Sequence, residues 1–382
     1  MVRAIRNAIT KQKTVRALLH AIERHRPFHL AASLLGDRQV RRIYWNYLVR
    51  RRQMREALLA RGALPRNLYI EGTNACNADC VFCGYGRMQR PKLVMSMDLF
   101  RSVIDQYVAL GGKAIGFTPI VGDPMIDRLL FDRLDYLEAT PAIKYVGFYT
   151  NSIGLTPEKI DRLFTYRRLQ LSMNISFGGF DRDTYKAVMG VDRFEPVREN
   201  VLYLLSQLES REHPNVRVKL DYRCPDLEAG RTDPFIARIE ECIKHGVVRQ
   251  DTLHGVFDSF GGMIAEEDLA SAGLRRNIGM PKMGPCEILF TKPIVLADGR
   301  VNACAERDLE ATLIIGDLKQ ESLERILTGP RRTALMESFY RNRLATVCAG
   351  CTVYQSVYNP RAKVWSNQLN WEPAASVEDP AA

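Results

Sequence analysis

Three cysteines lie close together near the start of the chain, in the stretch ACNADCVFC from Ala75 to Cys83. Cys76, Cys80 and Cys83 follow the spacing C-x-x-x-C-x-x-C. A structural zinc normally takes four nearby donors, and the six histidines of the chain do not complete such a set. A redox C-x-x-C pair would leave Cys76 without a role. Three thiolates do suit a 4Fe–4S cluster in which one iron stays open to a small molecule.

A second group of cysteines lies in the last third of the chain: Cys286, Cys304, Cys348 and Cys351, the last two spaced C-x-x-C. Four thiolates can close all four irons of a second 4Fe–4S cluster, or hold one zinc tetrahedrally. The sequence leaves both open. Cys242 lies in the amphipathic stretch DPFIARIEECIKHG, where we expect it to be a buried apolar residue.

The charge of the chain is concentrated at its N-terminus. Residues 1–66 hold 16 Lys and Arg against three acids, which is a net charge of +13. The whole chain has a net charge of +10, so the remaining residues together carry −3. Helical spacing of the apolar residues there predicts helices with a basic face, either solvated or turned to an anionic partner such as a phosphorylated substrate, acidic protein, membrane surface or RNA. An odd total of nine cysteines and the lack of a long apolar segment predict a reduced, cytoplasmic protein.

The elements that must position these cysteines alternate between strand and helix patterns. The predicted strands are 68–72, 114–120, 145–151, 169–176, 216–223 and, least clearly, 252–258. The predicted helices are 97–110, 125–138, 157–164, 196–208 and 233–245. This alternation indicates an α/β fold with a parallel sheet of six strand–helix units, fewer than the eight of a closed barrel.

After residue 280 the pattern changes. ILFTKPIVLADGRVNAC holds two strand-like runs around Ala297-Asp298-Gly299, which predicts a hairpin. A helical stretch from 322 to about 343 follows, with an interruption at Gly329-Pro330. We therefore expect four segments: a basic helical extension at 1–66, a partial barrel at 67–280, a small cysteine-rich domain at 281–358 and a C-terminal tail at 359–382.

The first cysteine set resembles the defining motif of the radical S-adenosylmethionine (SAM) superfamily. The resemblance implies a partial (β/α)6 TIM-like barrel and a 4Fe–4S cluster whose open iron is chelated by SAM. Electron transfer into the sulfonium then gives a 5′-deoxyadenosyl radical, which abstracts hydrogen from the substrate. It also implies that Phe82, before the third cysteine, lies near the adenine.

Three later motifs follow in the order found in that family. PIVGDP at 119–124 resembles its Gly-Gly-Glu-Pro motif, which makes Gly122 and Asp123 candidate SAM contacts, although Val121 and Asp123 depart from the pattern. FYTNS at 148–152 resembles its third-strand signature. NISFGG resembles its fourth-strand segment and makes Ser176 a candidate ribose contact.

The second cysteine set resembles the auxiliary-cluster extension called SPASM, or its shorter form, twitch. A full SPASM domain carries more cysteines, so this chain has enough for one auxiliary 4Fe–4S cluster. That complement is similar to the twitch enzyme 2-deoxy-scyllo-inosamine dehydrogenase. The match leaves the N-terminal 66 residues unexplained.

The resemblance implies an oxidoreductase acting on a small-molecule substrate, anionic or sugar-like, with an external electron donor such as flavodoxin or ferredoxin. In a dehydrogenation the auxiliary cluster would take the substrate electron. In an epimerisation Cys224, at the exit of the fifth strand, would return a hydrogen atom instead. Modification of a ribosomally made peptide is an alternative, disfavoured by the helical, Arg-rich N-terminus. RNA modification is a weaker alternative, and we expect no nucleic-acid partner.

Overall fold

The computed structural model describes residues 37–60, 64–65, 67–117, 120–211, 215–225, 233–250 and 255–365. Six strands lie side by side in chain order, every neighbouring pair parallel. They are β1 (Asn67–Ile70), β2 (Ala114–Gly116), β3 (Tyr145–Thr150), β4 (Gln170–Phe177), β5 (Val216–Tyr222) and β6 (Arg249–Gln250). β1 is buried along its whole length, which matches a parallel sheet covered on both faces. The predicted α/β fold with six parallel strands is confirmed.

The two helices described before β1 are α1 (Arg38–Val49) and α2 (Arg51–Ala60), and the rest follow from β1 onward. The crossover helices are α3 (Met97–Ala109), α4 (Leu130–Glu138), α5 (Pro157–Leu163), α6 (Arg182–Met189), α7 (Phe194–Ser210) and α8 (Pro234–Lys244). α4 begins five residues later than its apolar pattern predicts, after a 3-10 turn at Pro124–Ile126. Asp123 caps that turn by accepting from the Met125 amide. α6 was not among the predicted helices.

The sixth strand lies elsewhere than predicted. β6 precedes the predicted range 252–258, and the part of that range which is described forms β7 (Val256–Phe257). β7 pairs with β8 (Arg275–Arg276) in a separate two-stranded parallel sheet. A two-residue edge strand carries too little apolar pattern to be located from sequence. A short helix, α9 (Glu266–Ala270), connects β7 and β8.

The predicted hairpin is confirmed as β9 (Ile294–Val295) and β10 (Arg300–Asn302), preceded by the helix α10 (Ile288–Thr291). It joins the barrel sheet, because β9 runs parallel to β1 with Tyr69 opposite Ile294. β11 (Ile314–Asp317) extends the sheet beyond β10. The cysteine-rich segment is therefore attached beside the strand that leads into the first cysteine set. Its helices are α11 (Leu323–Thr328), α12 (Pro330–Tyr340) and α13 (Thr346–Gly350), with the predicted break at Gly329.

The N-terminal extension is helical where it is described. One face of α1 and α2 forms a small second core with residues of the C-terminal segment, including Val357, Tyr358 and Val364. Helical predictions for residues 1–36, and the tail from 366 onward, lie outside the described residues. Within the described ranges, no helix combines the length and the hydropathy needed to cross a bilayer.

Candidate active site and iron–sulfur centres

The loop that carries Cys76, Cys80 and Cys83 follows β1 and rests on the C-terminal end of α6. The Asp79 amide donates to Met189 O at 3.1 Å and the Val81 amide donates to Val188 O at 3.0 Å. α6 ends at Gly190, which has φ +70°. A Cβ at Gly190 would lie 2.0 Å from the Asp79 carbonyl oxygen. Only glycine therefore allows the helix end and the cysteine loop to approach this closely.

The three cysteines line one cavity of about 300 Å³, together with four other residues predicted from the sequence: Phe82, Gly122, Asp123 and Ser176. These residues lie in the loops after β1 and β2 and at the end of β4, which is the C-terminal edge of the parallel strands. Ligand sites of parallel α/β folds lie at this edge. The tertiary structure thus brings together residues that span 101 positions of the chain.

Gly122 and Asp123 hold the wall of this cavity against the cysteine loop. Gly122 has φ +110°, and a Cβ there would lie 2.9 Å from Ala75 O. The Asp123 amide donates to Ala75 O at 2.9 Å. Its carboxylate accepts from the Asn151 amide at 2.7 Å and from the Thr150 hydroxyl at 3.0 Å. Asp123 therefore fixes the end of β3 beside the cysteines, while burial raises the pKa of its carboxyl.

The aromatic ring of Phe82 forms part of a flat wall of the cavity. It stacks on Phe257, with ring centroids 4.6 Å apart and planes at 13°. The Arg223 guanidinium lies 5.5 Å from the Phe82 centroid and 5.8 Å from the Phe257 centroid. Such a wall offers a π face and a cation to a planar, polar ligand.

The first thiol set fits a metal cluster. Burial, and then the nearby Asp123 carboxylate, raise the pKa of Cys76 to about 12. Burial raises the pKa of Cys80 and Cys83 as well. Thiolates at this depth need a bound metal to neutralise them.

The fully buried Tyr185 hydroxyl, whose pKa is raised by burial and by nearby Cys80, has no hydrogen-bond partner among the described residues.

The second thiol set also comes together in space. Cys286 is joined to Ser356 by an isolated antiparallel bridge, which places it beside the Cys348–Cys351 segment. Burial, and then the neighbouring Cys351 thiol, raise the pKa of Cys304 to about 12, although the backbone amides of Arg307 and Glu306 act to lower it. Backbone amides donate to sulfur from Gln355 to Cys286 at 3.5 Å and from Glu306 to Cys304 at 3.4 Å.

Such N–H···S contacts stabilise metal-bound thiolates. No three His, Cys, Asp or Glu side chains within the described part of the chain converge closely enough to hold a single metal ion. A four-iron cube holds its thiolates on separate irons, so its ligands need not meet at one point.

Two family models match this chain. The model of the radical SAM superfamily matches residues 70–210, and that of the SPASM iron-sulfur cluster-binding domain matches residues 286–352. The chain contains a radical SAM domain and a SPASM domain. It is accordingly a radical SAM enzyme, with a 4Fe–4S cluster that binds SAM and auxiliary iron–sulfur binding in its SPASM domain. The triad, as we call Cys76, Cys80 and Cys83, lies in the first matched range and the four later cysteines in the second.

Solved structures with a similar fold include BtrN in complex with AdoMet and 2-DOIA, at 16% identity and a TM-score of 0.48, covering 77% of this chain and 98% of that chain. Streptococcus suis SuiB bound to S-adenosylmethionine is 13% identical with a TM-score of 0.49, covering 76% and 71%. Native anSMEcpe with bound AdoMet is 13% identical with a TM-score of 0.46, covering 75% and 89%. No curated protein matches the chain significantly.

The radical SAM cavity also contains charged side chains that sequence reasoning missed. Arg307 forms a two-pronged ion pair with Asp258, at 2.8 and 2.9 Å. Lys292 pairs with Glu306. Both pairs line the same cavity as the triad. Nothing in the sequence marks them except that Glu306 and Arg307 closely follow Cys304.

The pairs keep their charges despite burial. Burial alone would lower the pKa of Lys292 and raise that of Glu306, but their mutual attraction reverses both shifts. Burial likewise opposes ionisation of Asp258, and Arg307 nevertheless holds the pKa of Asp258 below its usual value. The cavity therefore presents ionised carboxylates and cations at neutral pH.

Cys224 lies apart from the residues it was predicted to join. Its side chain is fully buried in the main hydrophobic core, as is that of Cys242. Cys224 is not among the described residues that line the cavity, whereas its neighbour Arg223 is. The expectation that Cys242 is buried is met.

Proposed function

We propose that this radical SAM protein is an oxidoreductase that dehydrogenates a small, polar, carbohydrate-like or anionic metabolite at a carbon bearing a hydroxyl or amine. The observation that carries the proposal is the charged wall of the triad cavity. It holds two carboxylates outside the SAM motifs, Asp258 and Glu306, and the cations Arg223, Lys292, Arg307 and Lys363. A cavity with this lining suits hydroxyl, amine, carboxylate or phosphate groups better than an apolar ligand.

When bound, the clusters and SAM supply a hydrogen-abstracting radical and an acceptor for the electron that remains. The residues of the chain would orient the substrate and take up its hydroxyl proton. Glu306 suits this second role, because it lines the cavity and its pairing with Lys292 and Arg307 keeps it ionised at neutral pH, so that it can accept a proton. The Asp123 carboxylate instead holds the end of β3 beside the cysteine loop, through the Asn151 amide and the Thr150 hydroxyl.

The place of Cys224 favours dehydrogenation over epimerisation. A hydrogen-atom donor must reach the substrate radical, and the Cys224 thiol is enclosed by the core instead of facing the cavity. An external one-electron donor such as flavodoxin or ferredoxin would reduce the triad cluster.

The test uses anaerobically reconstituted protein with SAM, a reductant and panels of aminocyclitols, sugar phosphates and uronic acids. Dehydrogenation predicts 5′-deoxyadenosine together with a product lighter by two hydrogens. Cys224→Ala and its matched control Cys242→Ala, both fully buried, should form that product equally well. A product that has lost no mass in ordinary water, gains one deuterium in deuterated water and disappears only in Cys224→Ala would establish epimerisation instead.

The role of the charged wall is tested by Glu306→Gln. We expect this variant to lose product formation by at least about tenfold while it retains uncoupled SAM cleavage. Glu324→Gln, on an exposed position of α11, is the control. Turnover of a precursor peptide, with no small metabolite accepted, would replace this proposal with the peptide-modifying alternative.

A further inference from the structure

α1 has apolar residues on two opposite faces. One face is buried in the small second core and includes Val40, Ile43 and Tyr44. The other face follows the same three-and-four spacing and is exposed along its length: Arg38, Arg41, Arg42, Trp45, Leu48 and Val49. We call these six residues the Trp45 face. A helix that is apolar on both sides normally has a partner on each.

The exposure of the Trp45 face is large. Trp45 is 62% exposed, Leu48 66% and Val49 59%. Arginines flank these residues on both sides, since the exposed run 50–52 follows Val49 directly. The face therefore combines a contiguous apolar patch with a strong positive charge.

We infer that the Trp45 face docks on the surface of an anionic lipid bilayer. Aromatic and aliphatic side chains enter the boundary between headgroups and acyl chains, while arginines pair with anionic headgroups. Nucleic-acid phosphates would pair with the arginines but leave Leu48 and Val49 in water. A second copy of this chain would bring its own arginines against these, which is repulsive. An anionic bilayer satisfies both features at once.

The helix is already fixed in the orientation that docking needs. Asn46 donates to Tyr358 O at 2.9 Å, and the Tyr47 ring packs edge-on against the Tyr358 ring at 5.3 Å. These contacts hold the buried face of α1 in place. Bilayer binding would therefore order no new structure and would cost little conformational entropy. The same C-terminal segment includes Lys363, which lines the triad cavity.

The experiment measures sedimentation of the full-length reconstituted protein with vesicles of phosphatidylcholine alone or mixed equally with phosphatidylglycerol. We expect binding to the anionic vesicles only, weakened by added salt. Arg41→Gln/Arg42→Gln should weaken it by roughly fivefold per arginine. Trp45→Ser/Leu48→Ser should weaken it by at least about tenfold.

The matched control is Arg275→Gln/Ile278→Ser, which removes an exposed arginine and a 58% exposed isoleucine that do not belong to the Trp45 face. It should bind like the unaltered protein. Because every altered side chain is exposed, the thermal midpoint and iron content of each variant should stay unchanged.

A second measurement reports insertion directly. Vesicles with brominated acyl chains should quench the tryptophan fluorescence of the protein, and Trp45→Phe should remove most of that quenching. Binding that survives Trp45→Ser/Leu48→Ser, or a full-length chain that binds RNA or forms a dimer through this face and ignores anionic vesicles, would overturn the inference. Binding seen only after removal of residues 1–36 would also overturn it, because that segment would then be the occupant of the face.

Discussion

Gly190→Ala should disturb the triad specifically, because Gly190 joins the end of α6 to the cysteine loop. The added Cβ would lie 2.0 Å from the Asp79 carbonyl oxygen. The position of a Cβ is fixed by its own backbone and the atom it meets is a backbone oxygen, so no side-chain rotation can relieve the contact. The loop must move, and the hydrogen bonds from the Asp79 and Val81 amides to the end of α6, at 3.1 and 3.0 Å, would be lost.

The expected cost has two parts. Alanine in the left-handed region at φ +70° costs about 1–2 kcal/mol. The two lost hydrogen bonds add about 0.5–1.5 kcal/mol each. We therefore expect a loss of about 2–5 kcal/mol in the free energy of unfolding.

Gly246→Ala is the matched control, because Gly246 has φ +72° and no atom lies within 4 Å of its would-be Cβ. It should show the backbone cost of about 1–2 kcal/mol alone. The difference between the two variants measures displacement of the cysteine loop.

The assay compares denaturant unfolding, iron content and reductive SAM cleavage in the two variants after reconstitution. Gly190→Ala should lose iron from the triad and cleave SAM poorly, whereas Gly246→Ala should keep full iron and full cleavage. If Gly190→Ala matches Gly246→Ala in stability, iron and cleavage, the contact between α6 and the cysteine loop does not position the triad.

Three further predictions concern the centres and the sheet between them. Replacing the whole triad with alanine should lower the iron content from about eight to about four per chain and abolish SAM cleavage; unchanged iron would contradict the cluster assignment. Cys348→Ala should reduce product formation more than uncoupled SAM cleavage, because the triad keeps its ligands; full turnover without auxiliary iron would exclude a role for the second set. Arg90→Met should cost about 3–5 kcal/mol in denaturant unfolding, since it strands the Glu71 carboxylate, which is 1% exposed. Adding Glu71→Gln should restore most of that loss, and an equal loss in the double variant would count against the ion pair.

Local patterns in the sequence were sufficient for the parts of the molecule that local patterns encode. The spacing of Cys76, Cys80 and Cys83 specified the triad, because a cluster needs its thiolates on one short loop. Five of the strands and the break at Gly329 lie where apolar periodicity and turn residues placed them. β6 was misplaced because two residues carry no period.

The rest depended on contacts between residues far apart in the chain. Pairing of β9 with β1 joins Ile294 to Tyr69, and that pairing holds the SPASM domain beside the strand that leads into the triad. The ion pair of Arg307 with Asp258 reaches the cavity in the same way. At the exit of β5, Arg223 lines the cavity, whereas its neighbour Cys224 is buried in the core. Sequence spacing sets which residues can share a loop, but the packing of the folded chain decides which side chains face a common space, because that depends on contacts between segments far apart in the sequence.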